Sequence, residues 1–251
     1  MSAQQVAPYE VLAAGYDLVM AHVDYEEWAQ YVHRLLWQYH PHEPETVVEL
    51  GCGTGLFALD FQVLGDYQML GLDNAPNMIR FARERAEWEQ VPIQFEVGDF
   101  TNFRLDQQVD AMIMVQDGLN YCLETQQVED LLRCAMNGLK PGGLFIFDQS
   151  TPWNSINNAA YFDYEDEEAG FHYIRRSAYD ADSRLHTTRF KIDYEQGEWQ
   201  EEHVQKAYTK AEIEALIAQS GLVLKMAFED MTLKPASDAS ERIHWIVQKP
   251  A

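Results

Sequence analysis

Residues Val47-Val48-Glu49-Leu50-Gly51-Cys52-Gly53-Thr54-Gly55 put glycine at three alternate positions directly after a short apolar run. Glycine enters positive φ freely and carries no side chain to block approach, so such a turn brings bare backbone against a ligand. A strand that ends there and passes into a helix also presents helix-start amides, which suit a carboxylate or a phosphate. From this turn onward, short apolar runs alternate with amphipathic segments, the pattern of a parallel sheet covered by helices in an α/β fold. The expected strands cover 46–50, 68–72, 93–97, 111–115 and 144–148, and the helices between them 56–64, 77–89 and 125–137. Lys140-Pro141-Gly142-Gly143 reads as a turn feeding the fifth strand.

Two helical stretches precede the turn, one over 9–20 and one over 24–39, where Trp28, Tyr31, Val32, Leu35 and Leu36 recur at helical spacing before Pro41 and Pro44 stop it. After Pro152 the texture changes. Aromatic, Thr and alternating charged positions over 161–208, with turn signals at Asp180-Ala181-Asp182-Ser183 and Gln196-Gly197, predict an antiparallel β insertion of about three strands. Thr209 with Glu212 forms a capping box for a helix that Gly221 ends, and strands over 222–228 and 242–248 close the chain. The expected division is therefore 1–152 with 209–251 as the ligand-binding domain, its N-terminal helices forming a lid, and 153–208 as an insertion over the pocket.

Charge narrows the partners. With 18 Lys and Arg against 41 Asp and Glu, the net charge of -23 repels a phosphate backbone, so no nucleic-acid partner is expected. The same acidity attracts cations and amines, and also serves solubility. No apolar run approaches the ~20 residues that span a bilayer, and Met1-Ser2-Ala3-Gln4-Gln5 lacks the features of a secretion signal, so a cytoplasmic protein without a membrane partner is expected. Cys52, Cys122 and Cys134 are too scattered for a disulfide framework or a metal site, and no metal is expected.

Two more acidic residues sharpen the ligand. Asp73 ends the second predicted strand, where an acceptor-only carboxylate can take both hydroxyls of a ribose, and Asp99 closes the third within Val97-Gly98-Asp99-Phe100. Ligand-facing positions thus fall at the C-terminal ends of three successive strands, where open α/β sheets place their sites. A dinucleotide site would need G-x-G-x-x-G, but the spacing here is G-x-G-x-G and Leu56 occupies the place of the third dinucleotide glycine. Glu49 would repel a pyrophosphate and suits the ammonium of an amino-acid moiety instead.

Over roughly 9–149 and again over 208–247 the chain resembles the class I S-adenosylmethionine-dependent methyltransferases. Motif I is Val47 to Gly55, the acidic end of the second strand is Gly71-Leu72-Asp73-Asn74, the adenine-side motif is Gly98-Asp99-Phe100, and Leu139-Lys140-Pro141-Gly142-Gly143 precedes the fifth strand. Tyr16-Asp17, Asp24-Tyr25 and the late insertion resemble small-molecule enzymes of the glycine and aminosugar N-methyltransferase type. The resemblance implies a Rossmann-like seven-stranded sheet with its last strand antiparallel, flanked by helices, with S-adenosyl-L-methionine as cofactor and S-adenosyl-L-homocysteine as product. It also implies that Tyr16 and Tyr25 hold the methionine carboxylate, and Glu49 and Gly51 its amino group. Asp73 takes the ribose, Asn74 and Met78 the adenine edge and face, Asp99 the adenine amine and Phe100 a backbone contact. Gln116 lies beside the methionine moiety. Gly53, Gly55 and Cys52 complete the turn, Cys52 as a small residue with no base partner nearby in sequence.

The segment Gln116-Asp117-Gly118-Leu119-Asn120-Tyr121 is where related enzymes face the methyl acceptor. Tyr121 stands where aminosugar N-methyltransferases tend to carry a histidine, so no general base transfers; Asp117, Asn120 and Tyr121 are expected to orient the acceptor, with a polar loop as the alternative. The insertion adds Trp153, His172, Arg175, Arg176, His186 and Arg189 as pocket candidates, and adjacent Arg175 and Arg176 would point to opposite faces of a strand. The expected function is methyl transfer to a small molecule, amines among the candidates and nitrogen favoured over oxygen. The alternatives are a non-catalytic cofactor-binding protein and another transferase on the same cofactor fold. The acceptor and the oligomeric state are not written in these residues.

Overall fold

The computed structural model describes residues 3–251. In chain order its elements are β1 (Gln4–Gln5), α1 (Tyr16–Val19), α2 (Tyr25–Tyr39), β2 (Thr46–Leu50), α3 (Leu56–Gln62), β3 (Gln68–Asp73), α4 (Pro76–Glu89), β4 (Gln94–Val97), β5 (Val109–Met114) and α5 (Thr125–Gly138). There follow β6 (Leu139–Ser150), α6 (Pro152–Asn157), β7 (Tyr164–Glu168), β8 (Phe171–Asp180), β9 (Leu185–Tyr194), β10 (Gly197–Lys206), α7 (Lys210–Ser220), β11 (Val223–Glu229) and β12 (Arg242–Gln248).

Seven strands form one sheet in the order β11-β12-β6-β5-β2-β3-β4. The run from β6 to β4 is parallel, and β12 is antiparallel to both β6 and β11. This is the expected Rossmann-like sheet with its last strand reversed. Helices cover both faces, so consecutive strand residues enter different cores. Val47 packs with α2, α3 and α4, whereas Val48 packs with α5 and α7; Ile146 and Phe147 of β6 divide the same way. Each such side chain contributes roughly 1.5–3 kcal/mol by leaving water.

The second sheet is antiparallel in the order β10-β9-β8-β7, with β1 added in parallel on the β10 edge. It holds four strands from the insertion where about three were expected, and α6 precedes them. Period-two alternation sets its buried face: His186, Thr188, Phe190 and Ile192 of β9 are buried and their neighbours are not. Phe171, Tyr173, Phe190 and Ile192 pack on Leu12 and Val19, which seats the N-terminal segment on this sheet. Gly15 makes that approach possible, since a Cβ there would lie 2.2 Å from the Phe171 ring.

Two expectations are corrected. The single helix over 9–20 is a 3-10 turn at Leu12–Gly15 followed by the one-turn α1, after Tyr9 at positive φ. Lys140 to Gly143 lies inside β6 as an irregularity rather than a turn before it: Val109 and Ala111 face Leu139 and Leu144, and Gly142 at φ 82 still bonds to Lys249. The capping box at Thr209 is formed, Glu212 bonding the Thr209 amide at 2.8 Å, and Gly221 ends α7 at φ 84. Among the described residues no helix is long and apolar enough to cross a membrane.

Candidate functional site

The glycine turn leaves central strand β2 and enters α3. Gly51, Gly53 and Gly55 all hold positive φ, at 72, 54 and 81 degrees. The amides of Gly51 and Cys52 are anchored on the Leu72 carbonyl at 2.7 and 3.0 Å, which ties the turn to the end of β3. There Asp73 Oδ2 accepts from the Gly53 amide and Oδ1 from the Ala75 amide, both at 2.9 Å. Burial pushes the Asp73 carboxyl up, against those two bonds. Each oxygen keeps a lone pair for another donor.

Glu49 is 2% exposed, and among the described residues nothing donates to its Oε2. Burial, with the nearby Asp73, pushes its carboxyl well above the ordinary range. An isolated buried carboxylate is costly, so this group fits a site that receives a cation.

A cavity of about 670 Å³ lies over the strand ends, and its lining includes Tyr16, Gly51, Gly53, Asp73, Asn74, Met78, Asp99, Phe100 and Gln116. A recess of about 30 Å³ behind the turn adds Tyr25, Glu49 and Cys52. Gly55 lines neither space. A Cβ there would meet Phe95 Cζ at 2.9 Å and Ala82 Cβ at 3.2 Å, so this glycine seats α3 on its neighbours. Gly55→Ala is expected to lower stability by about 2 kcal/mol through left-handed strain and overpacking, read as a lower urea midpoint. Burial also pushes the Cys52 thiol up, which leaves it a packing residue.

A second cavity of about 650 Å³ lies between the first and the antiparallel sheet. Tyr9, Tyr16, Gln116 and Tyr121 line both, so the two spaces meet at these residues. Gln116 and Asp117 reach the junction at positive φ of 60 and 64 degrees. Asp117 is held by Arg242 at 2.6 Å; Arg242 also binds Asp148, and Asp148 accepts from the Asp117 amide at 3.3 Å. Asn120 has a structural placement: its amide donates to Ser150 and Lys206 carbonyls at 2.8 and 2.7 Å and accepts from the Ser150 amide at 2.9 Å. It reaches only a side recess of about 70 Å³.

Of the insertion candidates, Arg175 lines the second cavity and Arg176 is exposed, as strand alternation required of the pair. Burial pulls the Arg175 guanidinium down, and its Nε is buried without a partner among the described residues. His186 lines the side recess and meets Ser155 at 3.0 Å. Trp153, His172 and Arg189 turn elsewhere, bonding Asp238, Glu165 and Glu202.

Sequence reasoning passed over Tyr9, Glu201, His203 and Arg242. Tyr121 bonds Tyr9 through their hydroxyls and lies 3.4 Å from His203 Nδ1. His203 Nε2 is 3.1 Å from Glu201, whose carboxylate also takes the amides of Tyr9, Val11 and Leu12 at 2.7, 2.7 and 2.8 Å. At the other end of the N-terminal segment, Asp17 accepts from Thr54 of the glycine turn at 2.7 Å and pairs with Arg85. A signal for Glu201 and His203 was present: two residues apart on an alternating strand, they share a face with cross-strand neighbours Phe190 and Thr188.

A cavity of about 670 Å³ at the end of a parallel sheet, a glycine turn and a buried carboxylate without a donor among the described residues form a site that suits a ligand carrying a cationic group. Residues 47–143 match the family described as methyltransferase domain. A Geobacillus sp. (strain WCH70) protein with a provisional methyltransferase name is 27% identical over 246 residues, covering 96% of this chain and 99% of the relative. An S-adenosylmethionine-dependent methyltransferase from Clostridium acetobutylicum ATCC 824 superposes with a TM-score of 0.82 at 20% identity, over 97% of this chain and 99% of that one. A sugar N-methyltransferase from Streptoalloteichus sp. ATCC 53650 does so at 0.72 and 17%, over 94% and 93%. The chain carries a methyltransferase domain over residues 47–143 and shares its fold with S-adenosylmethionine-dependent methyltransferases.

Proposed function

We propose that this chain transfers the methyl group to the nitrogen of a small amine that also carries an anionic group. The observation that carries the reading is the meeting of two cavities at Tyr9, Tyr16, Gln116 and Tyr121, one against the glycine turn and one beneath the antiparallel sheet. S-adenosylmethionine supplies an already activated methyl on a sulfonium. The chain's task is to hold the acceptor in line, keep water out and take a proton.

On the cofactor side Glu49 holds the ammonium, Asp73 accepts the ribose hydroxyls through its remaining lone pairs, and Asn74, Met78, Asp99 and Phe100 frame the adenine. Tyr16 and Tyr25 face the carboxylate. On the acceptor side Tyr121 orients the nucleophile, and Asp117, tied to Arg242, holds the loop that carries Gln116. Asp117 acts through position rather than as a free base. A small-molecule acceptor fits a space of about 650 Å³. The named activity of the sugar N-methyltransferase relative supports nitrogen, and the net charge of -23 favours a cationic amine. Arg175, whose buried Nε has no partner among the described residues, suits the acceptor's anionic group.

Calorimetry with S-adenosylmethionine and S-adenosylhomocysteine should show both binding. A methyl-release screen across primary amines with and without a carboxylate or phosphate, neutral sugars and phenols should then favour the anionic amines. Arg175→Met should raise KM for the best amine roughly tenfold and leave donor affinity unchanged. Release to phenols alone would make the enzyme oxygen-directed. Equal use of neutral and anionic amines would remove the role of Arg175.

A further inference from the structure

Resting on the reading that an amine is methylated in the second cavity, we propose that His203 accepts the amine's proton through the Tyr121 hydroxyl, with Glu201 positioning its ring. Glu201 and His203 point into the same face of β10 and are 1% and 4% exposed. Burial raises the Glu201 carboxyl, but the bonds from His203 and from the amides of Leu12, Val11 and Tyr9 outweigh it and hold the group below its ordinary range. An ionised carboxylate only accepts, so the bond at His203 Nε2 requires a proton on that nitrogen. In the neutral ring Nδ1 then carries the lone pair, and it faces the Tyr121 hydroxyl at 3.4 Å.

Burial pushes the phenols of Tyr121 and Tyr9 up, so they stay neutral and can only pass a proton along. Both line the two cavities, which puts the mouth of the relay where acceptor and donor meet. The groups facing the His203 ring are Glu201 on its own strand, Tyr9 from the lid, Tyr121 from the turn after β5, and Phe190 and Thr188 from β9. Arg175 on β8 bears on Tyr121 rather than directly on the ring. The step balances as a proton shift: the ammonium N–H bond breaks as Tyr121 takes that proton and gives its own to Nδ1. The nitrogen keeps the freed lone pair, and the imidazolium rests against Glu201. The proton leaves later to water through the second cavity, which His203 lines.

The aminosugar resemblance left Tyr121 without a base, because it stands where a histidine is expected. Here the imidazole arrives from another strand. Glu201 also fastens Tyr9, Val11 and Leu12, so the carboxylate that orients the ring is the one that holds the lid down.

Ring nitrogen NMR of the full chain tests this without an acceptor. The expected result is a neutral His203 protonated at Nε2 at pH 8, with its Nδ1 signal moved by Tyr121→Phe. A ring protonated at Nδ1, or one blind to Tyr121→Phe, overturns the proposal. With the best amine of the screen, His203→Gln should lower kcat roughly 100-fold at pH 7, leave donor affinity unchanged, and recover as pH rises and the amine sheds its own proton. A loss equal at every pH overturns it. If the wild-type chain binds the donor but methylates no amine, the nitrogen-directed reading falls as well, whereas a wrong tautomer sinks the relay alone.

Discussion

Glu49→Gln should give a protein that melts higher in the absence of cofactor and binds S-adenosylmethionine roughly a thousandfold more weakly. Among the described residues nothing donates to the buried Glu49 Oε2, so a charge there burdens the free fold. Once an ammonium pairs with it, the same burial makes the interaction strong. Breaking a buried ion pair by neutralising one side costs about 3–5 kcal/mol, which sets the thousandfold scale. Unchanged affinity measured by calorimetry would take Glu49 out of the cofactor site.

Proton uptake gives an independent reading. Burial raises the Glu49 carboxyl in the folded chain above its ordinary 4.5, so between that value and the raised one the folded state keeps a proton that the unfolded state has lost. The stability tied to that proton is full below 4.5, falls as pH climbs through the window, and changes no further above it. Within the window, binding an ammonium expels the proton, so binding heats should vary with the ionisation enthalpy of the buffer. Glu49→Gln should abolish that variation.

The residues proposed for the cofactor could be brought together from the sequence because their placement is local. Asp73 closes β3, Glu49 stands one residue before the end of β2 and Asp99 two residues past β4, and a parallel sheet aligns strand ends whatever else the chain does. The second cavity, proposed for the acceptor, depends on register between distant segments. Alternation required one of Arg175 and Arg176 to face inward, but only the pairing of Arg175 with Phe190 decides which. Glu201 looked like one more surface charge in an acidic strand, and its partners at Tyr9, Val11 and Leu12 lie some 190 residues away. Asn120 had the composition of a binding loop, yet its amide is spent on the backbones of β6 and β10. Tyr9 was absorbed into a helix that the chain does not form, because its positive φ and the contact at Gly15 bend the segment around the junction of the cavities.

Arg242→Met should cost about 3–5 kcal/mol of stability, because it strands two carboxylates that one guanidinium now serves. Asp148 is wholly buried. Burial pushes its carboxyl up to about 7, with Arg242 pulling the other way and Asp117 adding to the rise. Stability from the proton it keeps is present below its ordinary 3.8 and is lost as pH rises through about 7. Without the guanidinium that loss grows and extends to higher pH. Urea unfolding should therefore show a larger gap between wild type and variant at pH 8 than at pH 5, and Asp148→Asn added to the variant should remove most of the difference. An equal gap at both values would mean that the arginine matters for packing over the Trp28 ring, 5.3 Å away, rather than for charge. The effect reaches the site through Gln116 and Asp117, whose consecutive left-handed residues cost about 1–3 kcal/mol each and persist only while held. Arg242 and Asp148 are what hold them, so the variant should also bind cofactor less tightly, the loss following the pH dependence of its stability.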